Sequence, residues 1–146
     1  MESEAGSKSD SDFRNKYLFA AAEIENTRKR ERRRAEELTR AMKRRMLLRF
    51  LPILDNLERA VAHQDSEAMR AGLAATLRGF QAALGSEGVT PVLTTGLRFD
   101  PSVAEAIGTQ PANGVDNDMV LAETQRGYIV DEELLRPALV IVAKNA

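Results

Sequence analysis

From Phe13 to Phe50 the chain runs without a Gly or a Pro, in residues that favour helix, and with too much charge to sit inside a globule. At 1.5 Å per residue this helix is a rod of roughly 55 Å, far beyond the usual globular helix of about three turns. A rod of that length cannot bury its apolar residues against a small domain of its own chain. It needs a second rod beside it.

The spacing of those apolar residues sets how two rods would pair. The seven-residue series Tyr17, Ile24, Glu31, Leu38, Arg45 fails at two positions, whereas the eleven-residue series Phe13, Ile24, Ala35, Met46, Leu57 is apolar throughout. Ala20, Met42 and Ile53 form a second row, broken by Glu31. Eleven residues correspond to about 3.67 per turn, which predicts nearly straight or slightly right-handed pairing. The seam is thin, because Arg28 to Arg34 (RKRERRR) contains no apolar residue. Ahead of the rod, residues 1–12 are rich in Ser, Glu and Asp with nothing to bury. They are expected to be disordered, with Ser11 or Asp12 capping the helix.

Pro52 lacks the N–H that an interior helical position needs, so a kink or break is expected there. Around it the pattern becomes strongly apolar, from Met46 through Leu57 to Val61. A polar turn at 63–66 follows, with Asp65 or Ser66 as the next cap. Met69, Leu73, Leu77, Phe80 and Leu84 then recur at spacings of three and four, the mark of an amphipathic helix that Gly85 and Gly88 terminate. Two helices per chain, doubled in a dimer, make a four-helix bundle. After Val89 the turn formers Gly96, Pro101, Gly108, Pro111, Asn113 and Gly114 punctuate short apolar runs at Met119–Leu121, Tyr128–Val130 and Leu139–Val142, which read as strands. The fold class is α+β. Its expected divisions are a tail (1–12), a long dimerisation helix (13–51), a helical bundle segment (52–88) and a β domain (89–146).

Several functions are excluded by what these residues are. The chain has no Cys, so thiolate chemistry and Cys-ligated metals are absent, and its one His lies in a turn without triad partners. Paired acidic residues at 116–118 and 132–133 read as solvated turns, and no Gly-rich phosphate loop is present. The chain is therefore not read as an enzyme, and no cofactor or metal is expected. No apolar run approaches a membrane span and the first residues form no signal-peptide core, so the expectation is a cytoplasmic protein. A net charge of −1 conceals a basic rod and an acidic C-terminal part. The alternative function is a dimeric basic-helix DNA binder, but the Leu heptads that should follow its basic region are missing. Gly72, in the middle of an amphipathic helix, costs about 1 kcal/mol against Ala. It is either tolerated on an exposed face or marks a close approach by another surface.

Taken together, these residues resemble the GrpE family, nucleotide exchange factors of the bacterial DnaK-type chaperone. Glu25-Asn26 before Arg28-Lys29-Arg30 is similar to the family's rod motif, and the segment Leu51 to Ala60 (LPILDNLERA) to its rod-to-bundle junction. The β domain matches at Phe99-Asp100-Pro101, Glu105-Ala106-Ile107, Gly127-Tyr128, Glu132, Leu135-Arg136, Ala138, Val140 and Val142. It departs at Ala104, where the family usually has His or Met. The resemblance implies a parallel homodimer whose β domain binds the ATPase domain of the chaperone. The candidate contacts it implies are Phe99, Pro101, Thr124, Gly127 and Val142, with Gly72 and Arg28 as secondary ones. Arg136 either docks or supports the domain. Dimerisation is assigned to Phe13, Ile24, Ala35, Leu38, Met42, Met46, Ile53, Leu57, Leu73, Leu77 and Phe80. Because the rod seam is thin, the paired helices are expected to melt below the β domain and so to attenuate exchange on heating.

Overall fold

The computed structural model describes residues 2–146, with side chains described from residue 4 onward. The protein is α+β: two helices are followed by six strands, with α1 at Glu2–His63 and α2 at Glu67–Ser86. Compact units divide inside α1, one spanning residues 1–43 and the other residues 44–146.

In the first unit α1 is a bare helix. Phe13, Tyr17, Ile24, Leu38 and Met42 are all more than half exposed. An exposed Glu31–Arg34 pair at 3.1 Å bridges one turn of the basic run, a geometry of small energetic weight. Two expectations change here. The expected tail includes Met1, which lies outside the described residues; from Glu2 onward it is helix. Acidic residues are favourable near a helix N-terminus, and extending a formed helix is far easier than nucleating one. The helix also continues through Pro52 to His63 instead of breaking there.

The second unit begins with the last part of α1. Ser66 caps α2, accepting from the Met69 N–H, and the helix closes with Gly88 in the left-handed region at φ +82°. Glycine supplies that conformation without the Cβ penalty. The strands are β1 (Val89–Pro91), β2 (Ala104–Gln110), β3 (Val120–Gln125), β4 (Tyr128–Val130), β5 (Glu133–Arg136) and β6 (Ala138–Ala143). They make two three-stranded sheets. Sheet I has the order β1-β4-β5 and sheet II the order β2-β6-β3. In sheet II, β6 runs parallel to β2 and antiparallel to β3, with Ile107 bulged out of β2 between the pairs Ala106–Val140 and Gly108–Ile141. β4 and β5 are joined by Asp131 and Glu132, both at positive φ (49° and 67°), the conformation of a tight two-residue hairpin.

Two cores hold this unit together. The first joins Leu47, Leu51 and Leu54 of α1 to Leu84 of α2 and to Val89, Tyr128, Val130 and Leu135 of sheet I. Leu77 and Phe80 pack against it, so two residues expected to serve dimerisation are engaged within the chain. Phe80 also meets Phe50 edge-on, with centroids 6.3 Å apart. The second core consists of Ala104, Val120, Ala138, Val140 and Val142, with Phe99 packed against it. Arg44 ties α1 to the end of β5 by donating to the Leu134 and Leu135 carbonyls at 2.6 and 3.1 Å.

Candidate functional site

Sheet II and the loop leading into it present the residues expected to dock. Pro101 and Thr124 are exposed, and Phe99 is half-buried with its ring on the second core. The loop before β2 is a built turn. Asp100 Oδ1 accepts from the Ser102 N–H at 2.9 Å and from its hydroxyl at 2.7 Å, and these bonds hold the Asp100 carboxyl below the usual carboxylate range. Phe99 is pinned at its backbone by a 2.7 Å bond from its N–H to the Asp118 carbonyl. Thr124 Oγ1 donates to the Leu139 carbonyl at 3.2 Å, tying this exposed residue of β3 to β6.

Other candidates are placed where their side chains serve the fold. Val142 is 6% exposed and points into the second core, so its side chain offers nothing to a docking surface in this conformation. Gly127 is buried, and a Cβ there would stand 2.5 Å from the Ala138 nitrogen. It is a glycine because two backbones meet there, an approach no other residue allows. Arg136 supports the fold. Its guanidinium grips Asp55 of α1 through both nitrogens, at 2.8 and 2.7 Å, its Nε donates to the Arg126 carbonyl at 2.8 Å, and it lies 5.4 Å over the Tyr128 ring. This planar bidentate geometry is one that Lys cannot reproduce.

Gly72 and Arg28 lie on the helices. Gly72 is exposed on α2 with open space within 4 Å of where a Cβ would project, so nothing within the chain requires a glycine there. Arg28 belongs to the first unit, where it is exposed. Ala104, where the resemblance leads one to expect His or Met, is buried in the second core.

A second polar cluster escaped the sequence reading. Glu58 of α1 pairs with Arg126 at 3.1 Å, Arg126 also faces Glu123 at 3.6 Å, and Glu123 accepts a 2.6 Å bond from the buried Thr94 hydroxyl. Glu58 Oε1 is buried and engaged by charge alone, without hydrogen-bond geometry. Burial raises the Glu58 carboxyl above its ordinary range, against the opposing pull of Arg126. The neighbouring Tyr128 hydroxyl is buried without a partner, and its pKa is pushed up to about 12, chiefly by desolvation. The signal that could have found this cluster was local: Asp55 and Glu58 sit one turn apart in LPILDNLERA, and Arg126 directly precedes Gly127-Tyr128.

Among the described residues no group of His, Asp or Glu is arranged to hold a metal ion, and no helix is long and apolar enough to cross a membrane. Sheet II and the loop before it thus bring together Phe99, Pro101 and Thr124, three of the residues expected to dock.

Comparison with known proteins agrees with the resemblance read from the sequence. The GrpE family model matches residues 2–144. The chain is 39% identical over 135 residues to a Protein GrpE from Syntrophobacter fumaroxidans, covering 90% of this chain and 71% of that relative. It is also 39% identical over 137 residues to a Protein GrpE from Acidithiobacillus ferrooxidans, covering 90% of this chain and 80% of the relative. A Protein GrpE from Enterococcus faecalis is 34% identical over 139 residues, covering 92% and 78% of the two chains.

Proposed function

This chain belongs to the GrpE family, and from that premise we propose that it opens the nucleotide cleft of a DnaK-type ATPase domain and so accelerates ADP release. The coarser role, co-chaperone and nucleotide exchange factor in the stress response, follows from the family itself. The observation that carries the reading is the span of the match, which includes the helix, the junction around Pro52 and both sheets. Phe99, Pro101 and Thr124 are the primary docking residues in this proposal, and Gly72 and Arg28 secondary ones. Gly127, Val142 and Arg136 hold the docking surface in shape. The setting is the cytoplasm.

Such a factor performs no bond chemistry. It acts by binding the open ATPase domain more tightly than the closed, ADP-holding form, since a ligand shifts a conformational equilibrium only by its differential affinity. A roughly thousandfold acceleration requires about 4 kcal/mol of relative stabilisation on the route to release. Linkage is reciprocal, so nucleotide binding weakens the factor's hold and ATP entry expels it.

The acting species in this reading is a parallel homodimer with a four-helix bundle. Phe13, Ile24, Leu38, Met42, Met46 and Ile53 are all at least 49% exposed in the single chain, an apolar row along α1 that a second copy would cover. The test is release of a labelled ADP from the cognate chaperone. The expected result is acceleration that saturates with factor, and an unchanged rate at saturation would overturn the proposal. A Gly72→Asp variant should weaken chaperone binding while remaining dimeric.

A further inference from the structure

The proposed docking residues and the helix that carries them are held by different cores. The first core draws on α1, α2 and sheet I, whereas the second draws on sheet II and Phe99 alone. Among the described residues no buried apolar cluster joins the two. Polar side-chain links from α1 reach Arg126, at the β3–β4 corner, directly from Glu58 and through Arg136 from Asp55.

Glu58 projects from α1 to Arg126, Arg126 faces Glu123 on β3, and Glu123 accepts from Thr94 in the loop after β1. Arg136, locked on Asp55, holds the Arg126 carbonyl from the other side. Thr124, a proposed docking residue, directly follows Glu123 in the strand. The Glu58 end of this chain is costly, because its carboxylate is partly desolvated and lacks a hydrogen bond on its inner oxygen. A charge pair that does not raise stability can instead select one geometry among several.

We propose that Glu58, Arg126 and Glu123 are positioning residues: they fix sheet II relative to α1, and thereby hold Phe99, Pro101 and Thr124 in the pose the ATPase domain accepts. The inference rests on the docking role proposed above. Without the chain of charges the corner swivels, and docking must first order it, a cost that appears in affinity. Once the complex has formed the pose is restored, so the saturated exchange rate is unaffected.

Two full-length variants test this, Glu58→Gln and Thr94→Val, which cut the chain at opposite ends with little change of shape. Labelled ADP release is titrated with each. The expected result for Glu58→Gln is a roughly tenfold rise in half-saturating concentration with an unchanged saturating rate, and a melting temperature no lower than wild type. Thr94→Val should shift half-saturation in the same direction. A purely structural role would instead lower the melting temperature and the saturating rate together, and that outcome overturns the proposal. So does wild-type half-saturation in both variants. Residual dipolar couplings give a readout independent of exchange: sheets I and II should share one alignment tensor in wild type and need two in Glu58→Gln. If wild type itself fails to accelerate release, the functional reading falls, while the couplings still decide whether these residues fix the sheet.

Discussion

A methyl group is enough to probe the corner where the two sheets meet. At Gly127 an added Cβ would lie 2.5 Å from the Ala138 nitrogen and 3.1 Å from its Cα, both backbone atoms that cannot rotate aside. Gly127→Ala should therefore destabilise the β-rich unit by about 2–3 kcal/mol, in the range of core overpacking. Denaturant unfolding monitored at the strands would measure it. Glu58 tests charge where Gly127 tests space. Its folded pKa is raised, so the folded state binds the proton more tightly than the unfolded state does. Its charged form accordingly detracts from stability at neutral pH, and that deficit vanishes as pH falls through the raised folded value. Melting temperatures of wild type and Glu58→Gln should favour the variant at pH 7 and converge in acid. A gap that widened on acidification would contradict the assignment.

At the scale of elements, legibility followed burial. β3, β4 and β6 were visible as apolar, β-branched runs because their inward faces fill the two cores. β2 was not: in Ala104–Gln110 only Ala104 is buried, Ile107 is bulged outward, and an edge strand with one inward side chain leaves no period to read. β5 escaped because its four residues include one buried side chain, Leu135. Arg136 could be placed in the sequence but not interpreted, since Asp55 lies 81 positions away. The helix before Phe13 was obscured by its polar composition. Pro52 misled for a different reason. Burial of Leu51 and Leu54 on either side of it holds α1 helical across a residue that lacks the needed N–H. Pro52→Ala should thus strengthen α1, by up to about 3 kcal/mol, the Pro–Ala difference in a helix interior. Slower amide hydrogen exchange in the flanking turns would report it.

For the whole molecule, the division of the chain into a bare helix and a doubly cored unit sets the order of unfolding. Residues 4–42 are exposed throughout, so in isolation this segment has only its backbone hydrogen bonds and sparse surface pairs. In the proposed homodimer its seam remains interrupted at the basic run. Calorimetry should show two transitions, the helix pair melting first and the β-rich unit later, and exchange activity should decline across the first. A single transition for both would exclude thermal attenuation by this route. Ile24→Lys should lower the first transition and shift sedimentation toward monomer without moving the second.

The middle strand of sheet II is the last of the described strands. β2 and β3 emerge during synthesis as two separated edges with nothing between them, and β6 completes both pairings at once. Without β6, β2 and β3 lack their shared partner strand, and the docking surface proposed above is incomplete. A chain stopped short of β6 should thus fail to compete with the full chain for the ATPase domain proposed as its partner, which a competition assay would check.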